Sequence, residues 1–425
     1  MSDLSRRTFL AGAGLGLAGA ATLAVTNLGT RLALAAPGTP QTGDTLVVVF
    51  LRGGADGLSL APPYGYPSYR KLRPTIAIAP PGTPDGALPL DGSNPNAVFP
   101  SGLAGVVGLH PAFKPIHDTL WRDGKLAVIP ATGLPPSESA SRSHFSATRY
   151  VQAGSASAAV GGGWLARMIN TMGAAAGGVI PAVDTSARSD LLRGGRGAAV
   201  IPNLASFGVN GFPDRDRTAT ALRALHAGSD SISGQGLTAL DATARVATIS
   251  TELRSGYPKG GLAKTFSELS SMLKAGLGIQ AAVIDYGGWD QHSNLGTVGA
   301  GRFHDRATEL AGALRAFADD TNGLDEITVL VMTEFGRTIN ENGSRGTDHG
   351  RGATYLAMGA GIKGGVFGDD YPDEIADEPT YGDLAVLTDY RKLVAEIVTR
   401  RAGVADLGVV FPTYRSSGPA LGLTR

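Results

Sequence analysis

The stretch EITVLVMTEFGRT, residues 326–338, carries the clearest indication of the fold. Its apolar, β-branched run ITVLVM is continuous, and an acid, Glu334, follows shortly after it. Continuous apolar character of this kind suits a strand that is buried on both faces, as in a parallel sheet covered by helices. The polar residues after Met332 are then expected to form a loop at the carboxyl end of that strand.

Similar runs recur along the chain, and helical patterns lie between them. The other predicted strands are TLVVVFL (45–51), KLAVIP (125–130), IQAAVID (279–285) and TYLAMG (354–359). The predicted helices are LARMINTM (165–172), FSELSSMLKAG (266–276), RATELAGALRAFADD (306–320) and YRKLVAEIVTRRAG (390–403). This alternation predicts an α/β fold with a mostly parallel central sheet flanked by helices.

The composition limits both the class of protein and the kinds of site. The chain has 425 residues, of which 43% are hydrophobic and 17% are charged, and its formal net charge is zero. Such a chain can bury a sizeable core, and it has no overall charge that would attract nucleic acid or anionic membranes. There is no cysteine, so disulfides, thiolate metal sites and thiolate-held iron–sulfur clusters are excluded. Any metal must bind to carboxylates, imidazoles, hydroxyls or backbone carbonyls.

The first 35 residues have the pattern of a twin-arginine export signal. SRRTFL (5–10) contains two adjacent arginines, a mildly apolar segment follows, and ALA (33–35) precedes APGTP. We expect the twin-arginine machinery to export the protein to the periplasm or out of the cell, with cleavage after Ala35 and no stable membrane span afterwards. An uncleaved membrane helix is the alternative, although glycine and alanine rather than leucine dominate the segment.

Residues 45–425 contain no linker that would mark a domain boundary within the mature sequence, 36–425. We therefore expect a single domain. The stretch 173–237 is rich in Gly, Ala and Ser and has weak periodicity, so we expect it to form loops over the sheet or an insertion.

Acids and histidines flank several of the predicted strands. In open parallel sheets, ligands bind beyond the carboxyl ends of the strands, where the loops of neighbouring strands meet. Carboxylates together with imidazoles, and no sulfur, suit a divalent metal such as Zn, Mn, Mg or Ca. The candidate metal ligands are Asp56, Asp290, His292, Glu334, Asp348 and His349.

Each of these residues also has a structural explanation when it is considered alone. Asp56, in GGADG, suits a turn or a helix cap. Glu334 suits an ion pair with Arg337. His292 and the pair Asp348–His349 suit turns with local hydrogen bonds. Four acid-bearing loops at equivalent ends of a sheet nevertheless favour a site.

The segment SESASRSHFSATRYVQAG, residues 137–154, carries the candidate nucleophile. HFSATRYVQA has helical periodicity, so a serine before it would be expected to cap the helix. In the functional interpretation, the positive end of the helix and a nearby metal would stabilise an alkoxide. An arginine would bind the oxyanion of a phosphate or sulfate, and the histidine would act as an acid/base group or as a structural donor. The candidate catalytic residues are Ser141, Ser143, Arg142, His144 and Arg337.

The order of these motifs resembles the exported family called domain of unknown function 1501. A strand precedes GGADG, and SRSHF, GGWDQH, TEFGRT and GTDHG follow in turn, before a further strand and GIKGG. The resemblance extends to DYRKLVAEIV and FPTYR near the C-terminus. That family resembles the alkaline phosphatase and sulfatase superfamily, which implies a two-metal site and a hydroxyl nucleophile at the start of a helix.

The resemblance assigns metal ligation to particular residues. Asp56 matches the acid after the first strand, and Asp290 with His292 matches an Asp-His pair after a later strand. Glu334 stands in place of an acid after the TVLVM strand, and His349 matches the final histidine.

The chain also departs from the superfamily pattern. Where the superfamily has Asp-His after the late strand, this chain has Glu followed by Phe335, which cannot bind a metal, so Asp348 would supply the missing ligand or one metal would be absent. Superfamily spacing places the nucleophile at Ala140, so Ser141 or Ser143 would have to serve. No Cys-x-Pro-x-Arg or Ser-x-Pro-x-Arg motif is present, which argues against the formylglycine route of ordinary sulfatases.

Three functional hypotheses follow. The leading one is a metal-dependent hydrolase of phosphate or sulfate esters that acts outside the cytoplasm, with a small-molecule or glycan ester as its substrate. The alternative is a non-catalytic binding or assembly protein on a phosphatase-like scaffold with at most one structural metal. An exported redox protein is suggested by the paired arginines alone, and no haem, cluster or dinucleotide motif supports it.

Overall fold

The computed structural model describes residues 43–139, 141–172, 179–186, 189–208, 214–296, 298–372, 375, 377–378, 382–416 and 418–425. The predicted export signal lies outside these residues. No helix within them is long and apolar enough to cross a membrane.

The strands in chain order are β1 Thr45–Leu51, β2 Leu88–Pro89, β3 Gly108–Leu109, β4 Leu126–Gly133, β5 Ala182–Asp184, β6 Ala198–Val200, β7 Ala281–Tyr286, β8 Ile327–Thr333, β9 Ala353–Met358, β10 Gly365–Val366, β11 Asp377–Glu378, β12 Asp383–Leu384 and β13 Thr388–Asp389. The α-helices are α1 Gly57–Leu60, α2 Pro67–Leu72, α3 Lys114–Ile116, α4 His144–Ala153, α5 Trp164–Met172, α6 Arg215–Leu225, α7 Ser231–Ala247, α8 Gly261–Lys274, α9 Arg302–Asp320, α10 Tyr390–Arg400 and α11 Leu407–Val410. Short 3₁₀ turns lie at Pro111–Phe113 and Leu204–Ser206, and a π turn lies at His117–Trp121.

The central sheet is mostly parallel. Its strand order is β10-β4-β9-β8-β1-β7-β5-β6, and β13 pairs with β4 as the ninth strand. Strand β1 pairs in parallel with β7 and β8, whereas β9 is antiparallel to both of its neighbours, β4 and β8. The residues that precede β9 therefore lie at the same edge of the sheet as the residues that follow β4 and β8.

Both faces of the sheet are buried. Along β1, Val47, Val49 and Leu51 belong to one apolar core, and Leu46, Val48 and Phe50 belong to the other. The first core also contains residues of α8 and α9, and the second contains residues of α5, α10 and α11. Because successive side chains of a strand point to opposite faces, a strand with helices on both sides must be apolar throughout.

The predicted α/β class, a mostly parallel sheet flanked by helices, is confirmed. Each of the five predicted strands corresponds to an observed one, with ends shifted by up to three residues, and α4 begins and ends where the HFSATRYVQA pattern does. The described part of 173–237 contains β5 and β6, which extend the sheet beyond β7, as well as helical segments. The division into a signal and a single domain stays a prediction.

Candidate metal centre

Three side chains from distant parts of the sequence meet at one edge of the sheet. His144 begins α4, Asp290 lies in the loop after β7, and His349 lies just before β9. One ligand atom from each of these residues lies within 4.8 Å of the other two. Within the described residues, no other group of three or more such side chains is so arranged.

The loop between β8 and β9 folds back on itself and so positions His349. Arg337 and His349 form an antiparallel β-bridge, and the amide of Gly336 donates a hydrogen bond to the carbonyl of Arg351 (2.9 Å). A Cβ at Gly336 would lie 1.6 Å from the carbonyl oxygen of Gly352, so only glycine permits this approach. The glycine that directly follows TEF is therefore explained by the close approach of two backbone segments.

His144 is oriented by a buried carboxylate. Its Nδ1 lies 2.8 Å from Oε1 of Glu334, which also accepts a hydrogen bond from the amide of Gly53 (2.9 Å). Its Nε2 is buried and has no hydrogen-bond partner in the part of the chain that the structure describes, and Oδ2 of Asp290 is 3.4 Å away. A histidine that donates from one nitrogen to a carboxylate and directs the other nitrogen to the site has the usual arrangement of a metal ligand.

His349 has the same arrangement with a different partner. Its Nδ1 lies 2.8 Å from the carbonyl oxygen of Arg142, and its Nε2 lies 3.4 Å from Oδ1 of Asp290. A backbone carbonyl can only accept, so Nδ1 carries the proton and the Nε2 lone pair faces Asp290. Burial lowers the pKa of His349, which favours the neutral imidazole that metal binding requires.

Asp290 also contacts Arg337 and His292. Its Oδ1 accepts a hydrogen bond from Nη2 of Arg337 (2.7 Å) and lies 2.9 Å from Nδ1 of His292. Burial acts to raise the pKa of Asp290, but the hydrogen bond and charge of Arg337 outweigh it and bring the pKa to about 2. The group is therefore a carboxylate at neutral pH. Its Oδ1 faces His349 as well as Arg337 and His292, and its Oδ2 faces His144.

His144 and Glu334 each stabilise the charged form of the other. The hydrogen bond with Glu334 raises the pKa of His144 above its ordinary value. Burial acts to raise the pKa of Glu334, but the hydrogen bonds from His144, Gly53 and Thr333 outweigh it and lower that pKa. A proton on His144 and a metal at its Nε2 are thus competing ways to supply positive charge between two carboxylates.

The spacing of the three side chains is close to that of a divalent-ion site. Two ligands that are each 2.0–2.1 Å from a tetrahedral ion lie about 3.3 Å apart. Nε2 of His144 lies 3.4 Å from Oδ2 of Asp290, and Nε2 of His349 lies 3.4 Å from Oδ1. The side chains of His144, Asp290 and His349 remain 34%, 48% and 24% exposed. A set of three protein ligands beside solvent leaves a coordination position for water or substrate, as catalytic zinc sites do.

Comparison with known proteins identifies the family. Residues 124–386, more than half of the chain, match the family described as "Protein of unknown function (DUF1501)". The chain belongs to this family. The matched residues include all three members of the cluster, so the centre lies within the DUF1501 region.

No curated protein matches the DUF1501 chain. Among solved structures, it has a weak neighbour in the alkaline phosphatase from the Antarctic bacterium TAB5, with a TM-score of 0.28 and 10% sequence identity over 77% of this chain and 95% of that one. A similarity of this size carries no argument about the site, and the α/β class rests on the sheet itself.

The other predicted ligands of the DUF1501 chain lie around the cluster or away from it. Glu334 lies behind His144, and His292 flanks Asp290. Asp348 is exposed and accepts a hydrogen bond from Nδ2 of Asn342 (3.1 Å). Asp56 is buried, caps α1 through the amide of Ser59 and bonds to Arg73. Direct ligation by these four residues stays a prediction that the geometry does not support.

Phe335 and Arg337 contact the three residues of the centre. The ring of Phe335 packs against His144 and His349, with centroid distances of 4.8 and 4.9 Å. The side chain of Arg337 is fully buried and donates to the carbonyls of Gly53, Gly54 and Thr347 as well as to Asp290. The structure directs its guanidinium towards protein groups. Its contact with a substrate oxyanion stays a prediction.

The predicted nucleophiles lie beside the centre at the start of α4. Ser143 is exposed, occupies the N-cap position and makes no capping hydrogen bond with its hydroxyl. Ser141 accepts a weak hydrogen bond from the amide of Ser143 (3.3 Å), and Nη1 of Arg142 lies 3.4 Å from the buried Asp383. The hydroxyl of Ser143 is therefore not used by the helix, whereas that of Ser141 is partly used. Ala140 lies outside the described residues.

Sequence reasoning missed two buried residues that support the site. Arg73 bonds to Asp56, and Asp383 lies between the guanidinium groups of Arg142 and Arg351 (3.4 and 3.6 Å). Neither stands in a recognisable motif, since each partner is far away in the sequence. In the sequence, each is a charged residue with no feature that marks it as buried.

Proposed function

We propose that this protein is a divalent-metal-dependent hydrolase of phosphate or sulfate esters. One observation carries the proposal. Two imidazoles, each held at Nδ1 by an acceptor, direct Nε2 towards a single carboxylate at a solvent-exposed edge of the sheet. Because two of the three ligands are nitrogens, Zn²⁺ and Mn²⁺ suit the centre better than Mg²⁺ or Ca²⁺.

Each residue has a defined part in this proposal. A bound ion would act as a Lewis acid towards an ester oxygen and make a bound water more acidic. His144, Asp290 and His349 hold the ion, and Glu334 and the carbonyl of Arg142 fix the two imidazoles. Asp290 stays charged because Arg337 is bonded to it.

The start of α4 favours an anionic substrate. The first amides of a helix carry partial positive charge, and α4 has ten residues. An ester oxyanion bound at the metal would lie near this end of the helix, and Ser143 would present its hydroxyl there. In this proposal Ser143 is preferred to Ser141 as the candidate nucleophile, because the hydroxyl of Ser143 does not cap the helix.

The location is also a proposal. The N-terminal twin-arginine pattern supports export of the folded protein, which allows a metal to be loaded before export. Replacement of Arg6 and Arg7 by lysine, followed by fractionation of the cells, tests it. Retention of the double variant in the cytoplasm supports export by this route, and unchanged export contradicts it.

Hydrolysis assays test the enzymatic proposal. Purified protein that has been freed of metal is given Zn²⁺ or Mn²⁺ and assayed with p-nitrophenyl phosphate and p-nitrophenyl sulfate. We expect metal-dependent turnover of at least one ester, which Asp290→Ala and His349→Ala abolish and His226→Ala, a histidine change after α6, leaves intact. Turnover that survives in His349→Ala would contradict the assigned centre.

A binding or assembly role with one structural metal is the second candidate. It is favoured by Phe335, which occupies the space beside both imidazoles where a further ligand would have to stand. Metal that binds to wild type and is lost in Asp290→Ala, with no turnover on a broad panel of phosphate and sulfate esters, would support this role over the hydrolase.

A further inference from the structure

The number of metal ions at the centre can be inferred from the partners of each nearby acid. The superfamily that the motifs resemble has two ions, and the second would need its own set of ligands. In the described residues, His144, Asp290 and His349 form the one group with suitable spacing. The remaining acids that were predicted as ligands are Asp56, Glu334 and Asp348.

Both oxygens of Asp56 are already bonded to Arg73. Its Oδ1 accepts a hydrogen bond from Nη2 of Arg73 (2.9 Å), and its Oδ2 accepts hydrogen bonds from Nη1 of Arg73 (2.5 Å) and from the hydroxyl and amide of Ser59 (2.5 and 3.1 Å). Asp56 is 3% exposed and Arg73 is 0% exposed. The guanidinium therefore already neutralises this carboxylate in a two-pronged, buried ion pair.

Arg73 is itself fixed in place. Its Nε donates to the carbonyl of Ile339 (2.7 Å), and its Nη2 donates to the carbonyl of Thr338 (2.8 Å). These bonds join the segment after α2 to the loop that follows TEFGR. A cation could reach Asp56 only by displacing a buried arginine whose remaining hydrogen bonds would then be lost, which is strongly unfavourable.

The other two acids do not belong to a second group of ligands within the described residues. Glu334 is 4% exposed, and its oxygens contact Nδ1 of His144, the amide of Gly53 and the hydroxyl of Thr333 (2.8, 2.9 and 3.0 Å). Asp348 points to solvent and bonds to Asn342.

We infer that the centre binds a single metal ion and that the guanidinium of Arg73 takes the place of a second cation beside Asp56. The inference rests on the proposed metal centre and specifies it further. The carboxylate of Asp56 is then neutralised by Arg73 whether or not an ion is bound at the centre.

A matched pair of substitutions tests the inference. Asp56→Asn and Asp290→Asn are the same change at two acids, each of which bonds to an arginine. Metal per folded chain is measured by elemental analysis, and the dissociation constants of Zn²⁺ and Mn²⁺ are measured by competition with a chromogenic chelator. The double variant Asp56→Asn/Arg73→Gln, which removes both charges of the buried pair, replaces Asp56→Asn if that single variant does not fold.

The substitutions at Asp56 and at Asp290 are expected to affect metal binding differently. We expect one ion per wild-type chain, an unchanged dissociation constant in Asp56→Asn or the double variant, and in Asp290→Asn a loss greater than the roughly 10–100-fold that outer-shell changes cause. Two ions per wild-type chain, or loss of the ion in the Asp56 variant, would overturn the inference and leave the hydrolase proposal standing. No ion in the wild type would overturn both.

Discussion

The carboxylate of Glu334 determines which nitrogen of His144 faces the metal centre. Glu334→Gln keeps the shape of the side chain and removes the charge that orients and polarises the imidazole. Outer-shell partners of this kind contribute about 10–100-fold to metal affinity, so we expect the dissociation constant of Zn²⁺ to rise by about that factor. Competition with a chromogenic chelator measures this change.

The control for this residue is Glu341→Gln, the same substitution at an acid that bonds to the amide of Thr75 (2.8 Å) at the surface. It should leave the dissociation constant unchanged. Equal affinity in wild type and Glu334→Gln would mean that His144 does not need Glu334 to bind the ion, or does not bind it.

At the level of elements, the loop between β1 and α1 supports the loop after β7. Gly53 has φ +121°, and a Cβ there would lie 2.3 Å from the amide nitrogen of Asp290. Gly53→Ala must therefore move one of the two loops. We expect a weaker affinity for Zn²⁺ in addition to the loss of stability that alanine causes at such a backbone angle.

Gly82→Ala separates these two effects. Gly82 also has a positive φ, +85°, but a Cβ there would meet nothing within 4 Å. Urea unfolding should show a loss of stability for both variants, and the chelator titration should show weaker metal binding for Gly53→Ala alone. A Gly53→Ala protein that binds Zn²⁺ like the wild type would disprove the coupling between the loops.

The packing of α8 against α9 predicts a dependence of stability on pH. Asp320, at the end of α9, accepts hydrogen bonds from Arg254 (2.7 and 2.9 Å) and from Ser270 and Lys274 of α8. Burial acts to raise the pKa of Asp320, but these bonds outweigh it and hold the pKa well below the usual value of an aspartate.

A lowered pKa in the folded state stabilises the protein above the unfolded-state pKa of about 3.9 and ceases to do so as the pH falls through the folded-state pKa. Urea unfolding between about pH 6 and pH 3 should therefore show a smaller acid-induced loss of free energy in Asp320→Asn than in wild type. Asp319→Asn, at the exposed neighbour, should behave like wild type in this range. Parallel curves for all three proteins would contradict the assignment.

For the whole molecule, local sequence patterns were sufficient to predict the class of fold and the location of much of the site. Buried strands such as β8 are almost entirely apolar. Asp290 and His349 stand in polar loops beside such strands, and His144 begins the helix that follows β4. The direction of β9 could not be predicted, since an apolar run is the same in both directions, yet that direction brings His349 to the site. β5 and β6 are three residues long each, too short to show a period.

Contacts between residues that are far apart in the sequence could not be predicted either. The roles of Arg73 and Arg337 depend on backbone carbonyls and acids that the fold brings to them, and no spacing in the sequence encodes these contacts. For the same reason, six acids and histidines were predicted as equal ligands. Only the structure brings two of them, Asp290 and His349, together with His144, which was predicted as an acid/base group or a structural donor.

The centre joins three segments that are far apart in the sequence, so metal binding should stabilise the entire fold. An ion that binds the folded state alone adds about 2.7 kcal/mol to the free energy of unfolding at 100 times its dissociation constant. The melting temperature of metal-free protein should therefore rise with Zn²⁺ concentration in wild type and in His226→Ala, but not in His349→Ala. An equal rise in His349→Ala would show that the stabilising ion binds elsewhere, since His349 is the residue that the loop before β9 contributes to the cluster.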